Sequence, residues 1–170
     1  LFGTAEIGGT WGRGTVFRVN TNGTGFTNIH SFTAPVGSPP TNSDGNGPRA
    51  RVIISGNTLY GAAGWGGSSG WGTVFAVNTD GTVFTTLHNF TGGSDGAYPF
   101  SELILSGNRL YGTAMSGGTS GAGTVFGVNT DGTGFTNLYS FTALVSGTNG
   151  DGAYPNAELT LSGNALYGTA

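Results

Sequence analysis

Cysteine is absent from this chain, and charge is scarce. Without cysteine there is no disulfide framework and no thiolate metal site. Only 8% of residues are charged, against roughly a quarter in ordinary globular domains. A net charge of −3 leaves no basic footprint for nucleic acid and no polybasic patch for a membrane surface. No apolar run is long enough to span a bilayer, so membrane insertion is not expected. The sequence opens on Leu1 with neither methionine nor leader peptide, as expected of a chain processed or cut from something longer.

Glycine, by contrast, is abundant: 35 of 170 residues, alongside 12% aromatics. Disordered chains combine few aromatics with high net charge, and neither holds here. The glycine is therefore expected in turns between many short strands.

An internal repeat organises those strands. LFGTA at 1–5 returns as LYGAA at 59–63 and as LYGTA at 110–114 and 166–170. GTVF opens at Gly14, Gly72 and Gly123; Ser-Gly-Asn recurs at Ser55, Ser106 and Ser162, and Asp-Gly at Asp44, Asp95 and Asp151. Within one unit, Leu103-Ile104-Leu105 is a short apolar run (strand A) closed by the turn Ser106-Gly107-Asn108. Leu110 to Ala114 makes strand B, Thr124 to Val128 strand C, and Phe135 to Phe141 strand D. Asp131-Gly132 joins C to D, a pair favoured in hairpins because Gly accepts positive φ. Four strands per unit of about fifty residues describe a β-propeller blade. The expected fold is all-β, a half-propeller of three four-stranded blades at about 1–48, 49–92 and 99–142, with further strands in 156–170.

The strand order is B-C-D, then A-B-C-D twice, then A-B. Propellers typically close with four to eight blades, so three cannot close alone. A homodimer forming a six-bladed ring is expected, the C-terminal strand A (Glu158 to Ser162) completing the partner's first blade. Residues 1–5 and 166–170 are both B strands competing for one place. Either one is displaced, or the chain is a fragment of a longer array.

The pattern LYGTA…GG…G.GTVF.VN.DG..F..L..F, followed by SDGAYP and ELILSGN, resembles the GloVer-type tandem repeat of bacterial surface proteins. More distantly it resembles kelch and quinoprotein blades. The first unit departs most, with Arg51-Val52-Ile53-Ile54 in place of the Glu-Leu pattern and no Tyr before Pro48. The resemblance implies an exported bacterial protein, extracellular or at the cell surface, and supplies no activity.

Antiparallel strands put the tight A–B and C–D turns on one face and the long B–C and D–A loops on the other. Variable loops gathered on a rigid scaffold commonly build a recognition surface. Trp11, Trp65 and Trp71 lie in B–C loops, with Tyr98 and Tyr154 in D–A loops on the same face. They are candidates to stack on a glycan or anchor an extracellular protein; the alternative is that each Trp plugs the space between blades. Asn42 to Gly47 has some alternating ligands of a calcium loop but lacks its closing Glu, and an Asp capping its own turn is the reading taken over a metal site. Arg51, Glu102 and Glu158 share one repeat position at the mouth of the central channel, where they would ring a small ligand or pair with one another. His30 and His88 share a strand-D position held by Tyr139 in the third copy, which points to packing. There is no GxSxG, HExxH or P-loop, so no catalytic residue, cofactor or metal is expected. The reading is a non-enzymatic scaffold or binding module; the alternative is a hydrolase or lyase using the channel-mouth carboxylates.

Overall fold

A computed structural model describes residues 1–170. It holds thirteen strands and no helix. The first sheet contains β1 (Phe2–Ala5), β2 (Thr15–Arg18) and β3 (Thr27–Ser31). The second contains β4 (Ile53–Ser55), β5 (Thr58–Ala63), β6 (Thr73–Asn78) and β7 (Phe84–Asn89). The third contains β8 (Ile104–Ser106), β9 (Arg109–Ala114), β10 (Thr124–Asn129) and β11 (Thr136–Ser140), and the last β12 (Thr160–Ser162) and β13 (Ala165–Tyr167). Every sheet is an antiparallel meander in chain order. The fold is all-β and propeller-like.

The core lies between sheets rather than within one. Side chains alternate along a strand, and the central strand β6 buries both of its faces. Phe75 and Val77 join Val16, Phe32, Leu59 and Ala63 between the first two sheets. Val74 and Ala76 join Phe90, Leu103, Leu110 and Phe126 between the second and third. That is why TVFAV is almost wholly apolar.

Two sequence markers explain each other. Gly61 and Gly112, the glycines of LYG, lie beneath the GTVF rings. A Cβ there would stand 2.6 Å from the Phe75 ring and 2.8 Å from the Phe126 ring. Strand B needs glycine so that strand C can lay an aromatic ring across it. Each C–D pairing also slips register between the Val and Phe of GTVF, leaving Ile29, Leu87 and Leu138 as the extra strand-D residue. A bulge of this kind strengthens twist locally, and here it recurs at one place in every unit.

The repeat position alone leads one to expect Phe17, Phe75 and Phe126 all buried. Phe75 and Phe126 are fully buried, whereas Phe17 is only half-buried. The reason is positional. Phe75 meets Phe32 beside the preceding sheet and Phe126 meets Phe90, whereas the aromatic partner of Phe17 is Phe26 of its own sheet unit.

Candidate functional site

The B–C loops share one frame. Gly14, Gly72 and Gly123 donate their N–H to the carbonyls of Gly8, Gly66 and Gly117 at 2.9–3.0 Å. Gly72 sits at φ +102°, and a Cβ there would be 2.5 Å from Pro99 Cδ. Only glycine fits where the loop and the next D–A segment touch. The variable side chains ride on this fixed frame.

A cavity of about 540 Å³ opens between these loops, lined by Glu6, Arg13, Pro39, Trp65, Trp71 and Tyr98 among others. It lies within the usual size range of small-ligand sites. Trp71 and Tyr98 meet edge to face, ring centroids 5.2 Å apart. Gly92 packs against the Trp71 ring, while 38% of the residue stays exposed. Trp65 is more enclosed: Arg49 stacks over it at 4.8 Å, Phe100 meets it edge-on at 4.9 Å, and Gly47 abuts its ring. Arg49 also pairs with Glu6 at 2.7 Å. Trp11 and Tyr154 are more than half exposed and stand outside this cavity. The structure therefore brings Trp65, Trp71 and Tyr98 together, and neither Trp11 nor Tyr154.

The Asp-Gly aspartates form three copies of one knot. Asp44 accepts from Thr33 N–H at 3.0 Å and Thr33 Oγ1 at 2.5 Å, and meets His30 Nε2 at 2.9 Å. Asp95 repeats this with Thr91 and His88. Asp151 does so with Thr142 and Tyr139, whose hydroxyl donates at 2.7 Å. Each carboxylate thus caps the exit of strand D, not its own turn, and its oxygens are occupied by these donors. Burial alone would raise the Asp44 pKa, but the hydrogen bonds from His30 and Thr33 prevail and hold it below its ordinary 3.8. The histidine rings stack on the next sheet: His30 on Phe84 at 4.0 Å, His88 on Phe135 at 3.6 Å. This is the packing role expected for that position.

The same marker set is known from other chains. The whole of residues 1–170 matches the Gloeobacter/Verrucomicrobia repeat. The chain belongs to that repeat family. No curated protein matches it. Among solved structures it resembles a β-propeller-containing chain of the nidogen/laminin complex, at TM-score 0.57 and 16% identity over 89% of this chain and 46% of that one. It thus spans less than half of that neighbour, and the likeness extends to the fold alone. The tricorn protease gives TM-score 0.43 and 19% identity over 75% of this chain and 10% of that one.

On the inner side of the Gloeobacter/Verrucomicrobia repeat, the three A strands converge. Residues 51–54, 102–105 and 158–161 line one concave groove of about 590 Å³. Arg51 Nε donates to Glu102 Oε1, and its Nη2 donates to Glu158 Oε1 at 3.2 Å. The three equivalent residues therefore pair with one another. Arg51 is 68% exposed, and pairs of that kind contribute only about 0–1 kcal/mol.

Sequence reasoning missed Arg13, Arg49 and the three knot threonines. The threonines had a signal, since Phe-Thr recurs as Phe32-Thr33, Phe90-Thr91 and Phe141-Thr142. The arginines had none, because they lie at positions that differ in every unit.

Proposed function

We propose that this chain is a non-enzymatic propeller scaffold of a bacterial surface protein. It closes into a six-bladed ring as a homodimer and holds a carbohydrate on its loop face. The observation that carries the ligand reading is the cavity where Trp71, Tyr98 and Arg13 arrive from three different loops. Half-open Trp71 is a platform for the apolar face of a pyranose. Arg13, Asn46 and Ser69 line the same space as hydrogen-bonding groups. A protein partner would call for a broader face than this cavity offers. The shared Arg51 ion pairs favour this reading over the hydrolytic one, because they engage Glu102 and Glu158 with a cation.

The test is a glycan array followed by titration calorimetry with the best hit. Trp71→Ala is expected to weaken binding at least about tenfold, a loss of about 1.4 kcal/mol, while leaving the melting temperature nearly unchanged. Trp65→Ala should lower stability instead. A Trp71→Ala variant that binds normally, or an array without hits, removes the carbohydrate reading. Turnover of any chromogenic glycoside would remove the non-enzymatic one.

A further inference from the structure

The two ends of the sheet array carry opposite halves of one contact. Behind the third sheet is a cavity of about 370 Å³ lined by Val125, Leu138, Tyr139, Phe141, Leu159 and Gly168, among others. By repeat position these are the counterparts of Val74, Leu87, His88, Phe90, Leu103 and Gly112. Those residues enclose Phe126 one junction earlier: Val74, Leu87, Phe90 and Leu103 share its buried cluster, Phe90 lies 5.1 Å from it ring to ring, and Gly112 sits beneath it.

The matching plug is at the other end. Phe17 and Phe26 stack at 5.5 Å and 27°. Phe75–Phe84 at 5.3 Å and 21°, and Phe126–Phe135 at 5.7 Å and 21°, are the pairs buried at the two internal junctions. Phe26 is 65% exposed. Tyr139, opposite in role, is 46% exposed and already held by Asp151.

We infer that the cavity behind the third sheet is the vacant seat of a GTVF phenylalanine, and that Phe17 of a second copy fills it while Phe26 stacks on Tyr139. This rests on the ring-closure reading above and adds its contact residues. The occupant is a second copy because the seat and the plug repeat, residue for residue, a contact this chain makes twice within itself. The redundant B strands do not disturb it. Leu1 and Gly3 are the counterparts of Leu166 and Gly168, so either strand supplies the same wall.

The chain has no cysteine, which permits a clean cross-link. The double variant Phe26→Cys/Tyr139→Cys is treated with a short bismaleimide, in parallel with sedimentation velocity of the unmodified chain. The expected result is one species at twice the 17.0 kDa chain mass, trapped as a covalent dimer, with Phe17→Ala weakening association at least tenfold and exposed Trp11→Ala leaving it unchanged. A covalent ladder would support the seat and plug and overturn ring closure. A dimer that resists the cross-link and tolerates Phe17→Ala would leave the ring reading and overturn the seat and plug. A monomer at every accessible concentration overturns both.

Discussion

Replacing Phe75 by alanine tests the between-sheet core most directly. The residue is fully buried. Its ring meets Phe32 edge-on at 5.3 Å and stacks on Phe84 at 5.3 Å. Deleting a buried phenylalanine costs about 3–5 kcal/mol, more where the site cannot collapse. Here Gly61 lies beneath the ring and has no side chain to move into the gap. The expected loss is therefore in the upper part of that range, about 4–5 kcal/mol. For a chain of this size that lowers the melting temperature by roughly 8–20 °C, at about 2–4 °C per kcal/mol. Urea unfolding, followed by circular dichroism, gives the number from the midpoint if the slope is unchanged. A shallower slope would mean the sheets had begun to unfold separately, as repeat arrays can. The control is Phe17→Ala at the same repeat position, half-buried in the chain itself. In dilute solution it should cost about 1–2 kcal/mol. Equal losses at the two positions would refute the placement of the core between sheets.

Two further outcomes follow from the backbone and from the buried charges. A Cβ added at Gly8 (φ +90°) would have nothing within 4 Å, whereas one on Gly72 (φ +102°) would strike Pro99 Cδ at 2.5 Å and the Ala63 carbonyl at 2.7 Å. Gly8→Ala should thus show only the strain of positive φ, about 1–3 kcal/mol, and Gly72→Ala markedly more; equal melting temperatures would count against the clash. Acid should destabilise the chain in two stages. Burial outweighs the Asp95 hydrogen bond and attraction, so the His88 pKa lies below its ordinary 6.5. The unfolded chain then binds more protons between those two values, and stability falls as pH drops below about 6.5. The depressed Asp44 pKa acts lower down: its contribution is present above 3.8 and is lost as pH falls through the folded value. His88→Tyr, the residue found at the equivalent position 139, should erase the first stage and keep the second in a melting profile from pH 7.5 to pH 3. A variant profile parallel to the parent would rule out His88 as the source.

What could be read from the sequence was whatever a single unit specifies by itself. Strand order, turn positions and the loop-bearing face follow from markers such as LYG, GTVF and Ser-Gly-Asn, each with a local physical reason. The incomplete burial of Phe17 and the exposure of Phe26 were not legible, because burial at those positions comes from a neighbouring sheet. The strand-D bulge at Ile29, Leu87 and Leu138 was not legible either, since register depends on both strands of a pair. Arg51, Glu102 and Glu158 were picked out by repeat position. That one arginine reaches both carboxylates required knowing how tightly three A strands converge.

The loop face shows most clearly why repeat positions cannot be read one at a time. Gly47, Tyr98 and Tyr154 are equivalent residues before proline, with φ of +66°, +59° and +58°. Two tyrosines therefore tolerate a backbone that favours glycine, so φ alone does not explain the glycine at 47. Trp65 does: a Cβ on Gly47 would stand 2.4 Å from its ring, while the residue equivalent to Trp65 beside Tyr98 is Ser116. The missing tyrosine and the extra tryptophan are one exchange of bulk between adjacent segments. Arg49 completes it, lying 4.8 Å from Trp65 and 4.7 Å from Phe100. Trp65 is accordingly fixed by packing, with its space cleared and its face covered. Trp71 packs against Gly92 and meets Tyr98 at a steep angle, yet it stays 38% exposed and lines the cavity. Of the tryptophans in the sequence, Trp71 is the one the fold both holds and leaves open, which is the combination a ligand platform requires.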